Sequence, residues 1–156
     1  MRRPPPPCRS RRAAEPVLLH IVARGRIGRS PEAELVDRYL KRIVWPTRVT
    51  ELPDTGGREP APAAQMRCIL LDEKGEALPS LALATQLGRW RDDGVRETRF
   101  LLGAADGFAD TDRARADLLL SFGRATWPHL LARAMLAEQL FRATSILAGH
   151  PYHREG

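Results

Sequence analysis

The sequence predicts an α/β domain with a mostly parallel sheet and helices on both of its faces. Short β-rich runs alternate with helix-like runs over residues 17–149, an order typical of strands joined by crossover helices. Glycines follow several of the strand-like runs, as tight loops at one edge of such a sheet require. With 156 residues, of which 43% are hydrophobic, the chain is long enough for one folded domain.

The first sixteen residues differ in composition from the rest of the chain. Residues 1–16 are rich in arginine and proline and offer almost nothing to bury. We predict a disordered extension, which is either an inert or RNA-binding arm or a start-site artefact with translation beginning near residue 17. This segment carries +4 of the net charge of +6. The predicted domain over residues 17–156 is therefore nearly neutral, and any RNA contact must come from local basic patches.

Four β-rich runs are predicted to form strands. Each is short and is bounded by glycine, proline or charged residues, the pattern of a strand buried in a parallel sheet. In chain order they are Val17–Ala23, Val49–Leu52, Met66–Leu71 and Thr98–Leu102. A loop is predicted over residues 73–79, and Phe122–Trp127 is expected to be extended.

Four helices are predicted from capping signals and apolar spacing. Ser30 and Pro31 supply an N-cap and a proline at the first helical position, and Ser80 is the expected N-cap of the second helix. The first helix starts at Pro31 and ends before Pro46, and the second runs from Ser80 to Trp90. The third runs from Asp110 or Thr111 to about Leu119, and the fourth from His129 to Ala148. The last helix is apolar nearly all round, so it must be covered on every side, which suggests a second subunit.

Three loops are candidate ligand sites, because open α/β sheets bind ligands beyond the carboxyl ends of their strands. They are residues 71–75, the Gly103–Gly107 loop and Phe122–Trp127. The sequence contains no G-x-G-x-x-G fingerprint, P-loop, zinc-spaced Cys/His set or G-x-S-x-G motif, which disfavours the common nucleotide, metal and hydrolase classes. From the glycine loop alone, a plain tight turn and a ligand site remain equally open.

The C-terminal end carries an unusual density of groups that donate, accept or carry protons. The block His150-Pro151-Tyr152-His153-Arg154 is either a solvated tail or an ordered segment, and its proline lowers the cost of ordering. Glu138 and Arg142 lie four residues apart on the predicted last helix. They form either an ordinary intrahelical ion pair or a pair that orients the arginine toward an anionic substrate.

These features resemble the RlmH family of bacterial large-subunit ribosomal RNA methyltransferases. The motifs that carry the resemblance are Gly103…Gly107, Thr126-Trp127-Pro128-His129, Arg133, Glu138, Arg142 and the closing His150–Arg154 block. The similarity runs from about Leu18 to Glu155 and includes the Leu71-Asp72…Gly75 loop and the Gly25-Arg26 turn. The resemblance implies a SPOUT-type fold with a deep C-terminal trefoil knot, a homodimer, and S-adenosyl-L-methionine as the methyl donor. The implied reaction is methylation of N3 of pseudouridine 1915 in helix 69 of 23S rRNA, on assembled ribosomes.

The resemblance also implies the site residues. The cofactor site would comprise Leu71, Gly103, Phe122, Gly123, Arg124, Ala125, Thr126 and Trp127. Catalytic roles would fall to Arg142, Tyr152, His153 and Arg154, and RNA-binding roles to His129, Arg133 and Arg26. We hypothesise that Arg142 stabilises developing negative charge and that His153 accepts the N3 proton. No metal is implied.

Two alternatives remain open at this point. Another SPOUT methyltransferase that acts on tRNA would normally carry an extra RNA-binding domain, which is not expected here. A non-catalytic ribosome-associated RNA-binding protein would have lost its pocket through Ala104, which stands where the family usually has a second glycine. Two cysteines, Cys8 and Cys68, and the lack of a long apolar run predict a cytoplasmic protein with reduced thiols and no membrane segment.

Overall fold

The computed structural model describes residues 16–103 and 107–154. The predicted extension, apart from residue 16, and the Ala104 position therefore lie outside the described residues. Within those ranges the chain forms five strands and four helices. In order they are β1 (Leu18–Arg24), α1 (Pro31–Arg42), β2 (Thr47–Leu52), β3 (Met66–Glu76), α2 (Ser80–Asp92), β4 (Glu97–Leu102), α3 (Asp110–Arg115), β5 (Leu118–Leu120) and α4 (His129–Leu147).

The five described strands form one sheet in the order β2-β1-β4-β3-β5, and every neighbouring pair is parallel. The predicted α/β class with a parallel sheet is confirmed. All six residues of the central strand, β4, are buried, as expected for a parallel strand covered on both faces. The carboxyl ends of β3, β4 and β5 lie side by side, because Leu71 pairs with both Leu102 and Leu120.

Right-handed crossovers explain how the two faces of the sheet are covered. The β1–β2 and β3–β4 connections run in the same direction along the sheet, so α1 and α2 lie on one face, together with α4. The β2–β3 and β4–β5 connections run the other way. The opposite face therefore receives a loop, held where Arg99 donates to the carbonyls of Pro60 and Ala61, and the short α3. Both faces carry helix, as predicted, but very unequally.

The structure corrects the predicted boundaries near β3 and β5. Where a loop is predicted over 73–79, β3 continues to Glu76, because its register shifts after Leu71 and Glu76 pairs again with Leu120. The helix predicted to reach Leu119 ends at Arg115, and β5 follows. Leu118 and Leu120 pack on the face that carries α4, whereas Leu119 packs on the opposite face, and only a strand presents alternate residues to two faces.

The helix starts are confirmed at α1 and corrected at α2. Ser30 caps α1, and its hydroxyl accepts a hydrogen bond from the Ala33 backbone at 3.1 Å. At α2 the N-cap position belongs to Pro79. Ser80 instead donates its hydroxyl proton to Gln139 at 2.6 Å and so ties α2 to α4.

The last helix is covered in part by the chain itself. Helix α4 packs against the sheet, α1 and α2, and no residue from Leu130 to Leu147 is exposed. Leu130, Leu131 and Met135 are only half-buried, and the second subunit that the composition of this helix suggests stays a prediction. Gly149 ends the helix with a φ of 71°, a left-handed conformation that glycine adopts without strain. None of the described helices is long and apolar enough to cross a membrane.

Candidate active site

A cavity of about 460 Å³ lies at the carboxyl ends of β3, β4 and β5. All three loops selected from the sequence contribute to its wall. Seven of the eight residues predicted for a cofactor line it: Leu71, Gly103, Phe122, Gly123, Ala125, Thr126 and Trp127. The eighth, Arg124, is exposed and does not line the cavity. The structure thus brings together residues that are more than fifty positions apart in the sequence.

Backbone shape forms much of this wall. A Cβ added to Gly103 would lie 3.3 Å from the Phe108 ring and 3.4 Å from the Gly107 carbonyl oxygen, so the missing side chain keeps this part of the cavity open. Gly107 and Gly123 have φ values of 74° and 104°, which L-residues with side chains rarely adopt. After β5, residues 121–128 form an irregular loop in place of the predicted extended run.

One side of the cavity carries an ion pair that the sequence does not reveal. Arg113 Nε donates to Asp72 Oδ2 at 2.7 Å, and Arg113 also pairs with Asp110 at 2.8 Å. Burial alone would raise the pKa of Asp72, but hydrogen bonds from the Lys74 backbone N–H and from Arg113 outweigh it and hold the pKa below its ordinary value. Because 41 residues separate the partners, no local pattern in the sequence signals this pair.

Two of the three predicted RNA-binding residues lie at or near the cavity. His129, the first residue of α4, lines it and is exposed. A Cβ on Gly25 would lie 3.8 Å from His129 Nε2, so the turn that contains the exposed Arg26 comes close to this histidine. His129 thus lies on the edge of the cavity, and the Gly25 turn brings the backbone of Arg26 near it.

The third predicted RNA-binding residue, Arg133, is corrected by the structure. It is 1% exposed, and its guanidinium pairs with Glu51 at 2.7 Å and donates to the Gly25 carbonyl at 3.0 Å. These bonds anchor α4 to the ends of β1 and β2. Arg133 therefore holds the Gly25 turn in place and does not reach an RNA.

Three of the four predicted catalytic residues, Arg142, Tyr152 and His153, gather with Glu138 at the C-terminal part of α4, in a group that we call the tail cluster. One oxygen of Glu138 accepts from Arg142 Nε at 2.9 Å, from Arg142 Nη2 at 2.6 Å and from the Tyr152 hydroxyl at 3.2 Å. Arg142 Nη1 lies 3.1 Å from His153 Nδ1. The intrahelical pair predicted from spacing is confirmed, and the tail is folded onto the helix. Arg154, in contrast, is exposed.

Aromatic packing fixes the tail further. The Tyr152 ring lies 4.5 Å from the Phe141 ring, centroid to centroid. The guanidinium carbons of Arg142 and Arg42 lie 5.0 and 5.6 Å from the Tyr152 ring centre, within range for cation–π attraction. The sequence gives no sign that Arg42 of α1 belongs to this group.

Protonation states in the tail cluster follow from these contacts. The hydrogen bond to Glu138 raises the pKa of Arg142, which stays charged. Burial, and then the Glu138 charge, raise the pKa of the Tyr152 hydroxyl, so this phenol keeps its proton at neutral pH. Since a guanidinium only donates, His153 Nδ1 accepts from Arg142, and neutral His153 carries its proton on Nε2.

Within one chain, the tail cluster does not reach the cavity. Arg142 follows His129 by thirteen residues on the same helix, a separation of about 20 Å along its axis. The structure therefore gathers the predicted cofactor residues in one place and the predicted catalytic residues in another. Among the residues that the structure describes, no group of three His, Cys, Asp or Glu side chains is arranged to hold a metal ion.

Comparison with known proteins decides the family. A family model described as predicted SPOUT methyltransferase matches residues 17–153. The chain belongs to this family. A relative from Rhizorhabdus wittichii, named ribosomal RNA large subunit methyltransferase H, is 74% identical over 140 residues that cover 90% of this chain and 100% of the relative. A relative of the same name from Erythrobacter litoralis is 70% identical, over 90% of this chain and 100% of the relative. Another from Paramagnetospirillum magneticum is 46% identical, over 87% of this chain and 98% of the relative.

These matches confirm the resemblance to the RlmH group of SPOUT methyltransferases that the glycine loop and the C-terminal block indicate. The parallel sheet and the cavity at its carboxyl edge are consistent with a SPOUT domain. The trefoil knot, the dimer and the individual residue roles stay predictions.

Proposed function

We propose that this SPOUT protein transfers a methyl group from S-adenosyl-L-methionine to N3 of a pseudouridine in helix 69 of 23S rRNA, and that it acts as a homodimer. The observation that carries the proposal is the cavity at the strand tips. It unites seven of the eight predicted cofactor residues in a chain whose relatives are named ribosomal RNA large subunit methyltransferases.

The cavity suits this cofactor in size and in the character of its wall. Its volume of about 460 Å³ lies within the roughly 300–1,000 Å³ typical of small-molecule sites. Leu71, Leu102 and Leu120 supply apolar surface for a flat ring, and Gly103 leaves room for close approach to the backbone. When bound, the cofactor supplies an electrophilic methyl group on a sulfonium.

The tail cluster carries groups that suit the reaction at N3 of pseudouridine, the proposed nucleophile. N3 of pseudouridine lies between two carbonyls, so it must lose an imide-like proton before or during methyl transfer, and negative charge develops on the flanking oxygens. We assign the stabilisation of that charge to Arg142, which Glu138 keeps charged. His153 presents an Nε2–H donor while its Nδ1 is held by Arg142. We therefore assign both residues to the oxygens, in place of the proton-accepting role hypothesised for His153, and the proton leaves to water.

The cavity and the tail cluster are too far apart within one chain to act on the same substrate, so in this proposal the tail cluster of one chain meets the cavity of another. The tail cluster lies about 20 Å along α4 from the start of the helix, where His129 lines the cavity. In the proposed homodimer, residues 152–154 of one protomer complete the cavity of the other. Symmetry then provides two equivalent composite sites.

The proposed substrate is the assembled ribosome. The predicted domain carries little net charge, so it lacks the broad basic surface that a naked RNA requires. His129, on the edge of the cavity, and Arg26, on the turn near it, offer local basic groups. A preformed ribosomal surface that presents the base supplies the remaining recognition.

Mass spectrometry of RNA tests the proposal. Digested 23S rRNA is compared between the wild-type host, a strain lacking this chain, and that strain with the chain added back. We expect a methylated pseudouridine that disappears with the deletion and returns on complementation with wild type. A Gly103→Val variant, which fills the cavity, should not restore it.

Each other result of that comparison has a definite meaning. Loss of a methyl group from tRNA, with 23S rRNA unchanged, favours the tRNA alternative. Unchanged RNA, together with no heat of binding for S-adenosylmethionine in calorimetry, favours the non-catalytic alternative.

A further inference from the structure

Trp127 differs from the other two tryptophans of the chain. Trp45 and Trp90 pack against the main hydrophobic core, whereas Trp127 is 43% exposed although it lines the cavity. The large exposed hydrophobic residues in the described part of the chain are Val44, Val49, Leu81 and Trp127, and only the last is aromatic. An indole that both lines a cavity and faces solvent lies at the cavity's open side.

The chain holds this ring in a fixed position. Trp127 Nε1 donates to the Phe122 carbonyl oxygen at 3.2 Å, which fixes one edge of the indole across the loop. Pro128 follows and restricts the backbone of Trp127 to extended conformations. Pro128 is also the N-cap of α4, so the ring sits directly on the start of a rigid helix. Little conformational freedom is left to lose when a partner stacks on it.

The surroundings of the ring match a nucleic acid base more closely than a second apolar partner. His129 lines the same cavity two residues later, and Arg124, which is exposed and outside the cavity lining, lies on the same loop three residues earlier. Basic groups around an aromatic face are the usual features of sites that bind unstacked bases. The inner wall, in contrast, includes Leu102 and Leu120, which are 7% and 2% exposed, and it can enclose one flat ring by itself.

We infer that the indole of Trp127 is a stacking platform for the RNA base that receives the methyl group. The inference rests on the proposed function, and it moves the side chain of Trp127 from the predicted cofactor set to the substrate. Enzymes that modify a base within structured RNA must first extrude it. A rigid ring at the mouth holds the extruded base flat, with its edge directed toward the methyl donor deeper in the cavity. A heteroaromatic ring on this platform could also be the cofactor's adenine, so the test must separate the two sources.

The test compares Trp127→Phe and Trp127→Ala with wild type in two binding experiments. Calorimetry gives the affinity for S-adenosylmethionine, and filter binding gives the affinity for large ribosomal subunits. We expect Trp127→Ala to bind the cofactor within twofold of wild type, and to bind subunits roughly 5- to 150-fold more weakly, the usual range for one stacked base. Trp127→Phe keeps a ring and should recover most of the subunit affinity. Val44→Ala, a control at a residue that is 94% exposed outside the site, should change neither affinity.

Each contrary result is informative. If Trp127→Ala loses affinity for the cofactor by the same factor, the ring belongs to the adenine and the inference is wrong. If both affinities stay unchanged, the indole is only exposed surface, and the inference is equally wrong. Since neither experiment requires turnover, the platform is tested even if wild type fails to methylate rRNA, a failure that would count against the proposed function alone.

Discussion

The cavity and the tail cluster are built in opposite ways. The cavity owes its shape largely to backbone: Gly103 leaves room beside Phe108, and Gly107 and Gly123 turn the chain with positive φ. The tail cluster is built from side chains: the Glu138 carboxylate, the Arg142 guanidinium and the Tyr152 ring, which also contacts Phe141 and Arg42, fix a segment without regular structure. A pocket made from backbone tolerates most side-chain changes but few glycine changes. A site made from side chains tolerates most glycine changes but few changes of its side chains.

The severest test of the backbone-built region is Gly75→Ala. A Cβ at this position would lie 2.6 Å from both the carbonyl carbon and the oxygen of Leu119, and 2.8 Å from the Leu120 nitrogen. These contacts are with the backbone of β5 and not with the end of a flexible side chain, so β5 and the cavity loop after it would have to be displaced. We expect a loss of about 3 kcal/mol or more, enough to lower Tm by about 10 °C or to prevent folding.

Gly88→Ala is the matched control for this experiment. Its Cβ would lie 2.9 Å from Leu147 Cδ2, the end of a flexible side chain, and alanine favours the helix. Calorimetric unfolding should show only a small change for Gly88→Ala. An equal effect of the two substitutions would contradict a specific backbone contact at Gly75.

The cavity, which is built from backbone, is easier to predict from the sequence than the tail cluster, which is built from side chains. Glycines after strand-like runs are local signals, and they lead to the cavity because parallel strands bring their carboxyl ends together. The contacts of the tail cluster with Arg42, and the Asp72–Arg113 pair, join residues far apart in the chain. No periodic pattern encodes such contacts. Resemblance to a family identified the tail residues, but not what they contact.

β5 shows a different limit of the sequence. Leu118-Leu119-Leu120 continues a helical propensity that begins at Asp110, so local preference favours one long helix. The tertiary structure overrides it, because Asp117 exchanges hydrogen bonds with the backbone of Cys68 on β3, and both faces of the sheet need an apolar side chain there. Propensity is a weak guide where edge pairing determines the outcome.

Mixing two inactive variants tests whether the two regions meet between protomers. One variant lacks residues 150–156, and the other carries Gly103→Val. Each alone should fall below about 1% of the wild-type methylation rate, because each loses one half of every site. After subunit exchange, half of the dimers are mixed and each has one intact site, so roughly a quarter of the wild-type activity should return. No recovery, with exchange verified by native mass spectrometry, would contradict the composite site.

Substitutions in the tail cluster test the assignment of Arg142 and His153 as donors. Arg142→Lys keeps the charge but loses the planar fork that bonds Glu138 and His153 at the same time, and we expect single-turnover methylation to fall by about 100-fold. His153→Ala removes one donor and should cost about tenfold. Arg38→Lys, at an exposed position on α1, is the charge-matched control for Arg142→Lys.

The pH dependence of the same reaction separates the donor role of His153 from that of a base. If water takes the proton, the logarithm of the rate rises with pH at the same slope in wild type and in His153→Ala. A plateau above neutral pH in wild type that His153→Ala lacks would show that His153 accepts the proton after all. Rates unchanged within twofold in both variants would remove both residues from the mechanism.

The smallest expected effect belongs to the ion pair in the cavity wall. The pKa of Asp72 is held below its ordinary value by Lys74 and Arg113, so its carboxylate stabilises the fold fully above the unfolded pKa and loses that contribution as the pH falls through the folded value. Asp72→Asn should lower Tm by roughly 2–6 °C at pH 7, with the difference from wild type closing below about pH 4. Asp37→Asn, at an exposed pair with Lys41, should have almost no effect at either pH. A Tm difference for Asp72→Asn that persists unchanged at pH 3 would mean that the side chain acts through shape, as the glycines do, and that charge has no part in building the cavity.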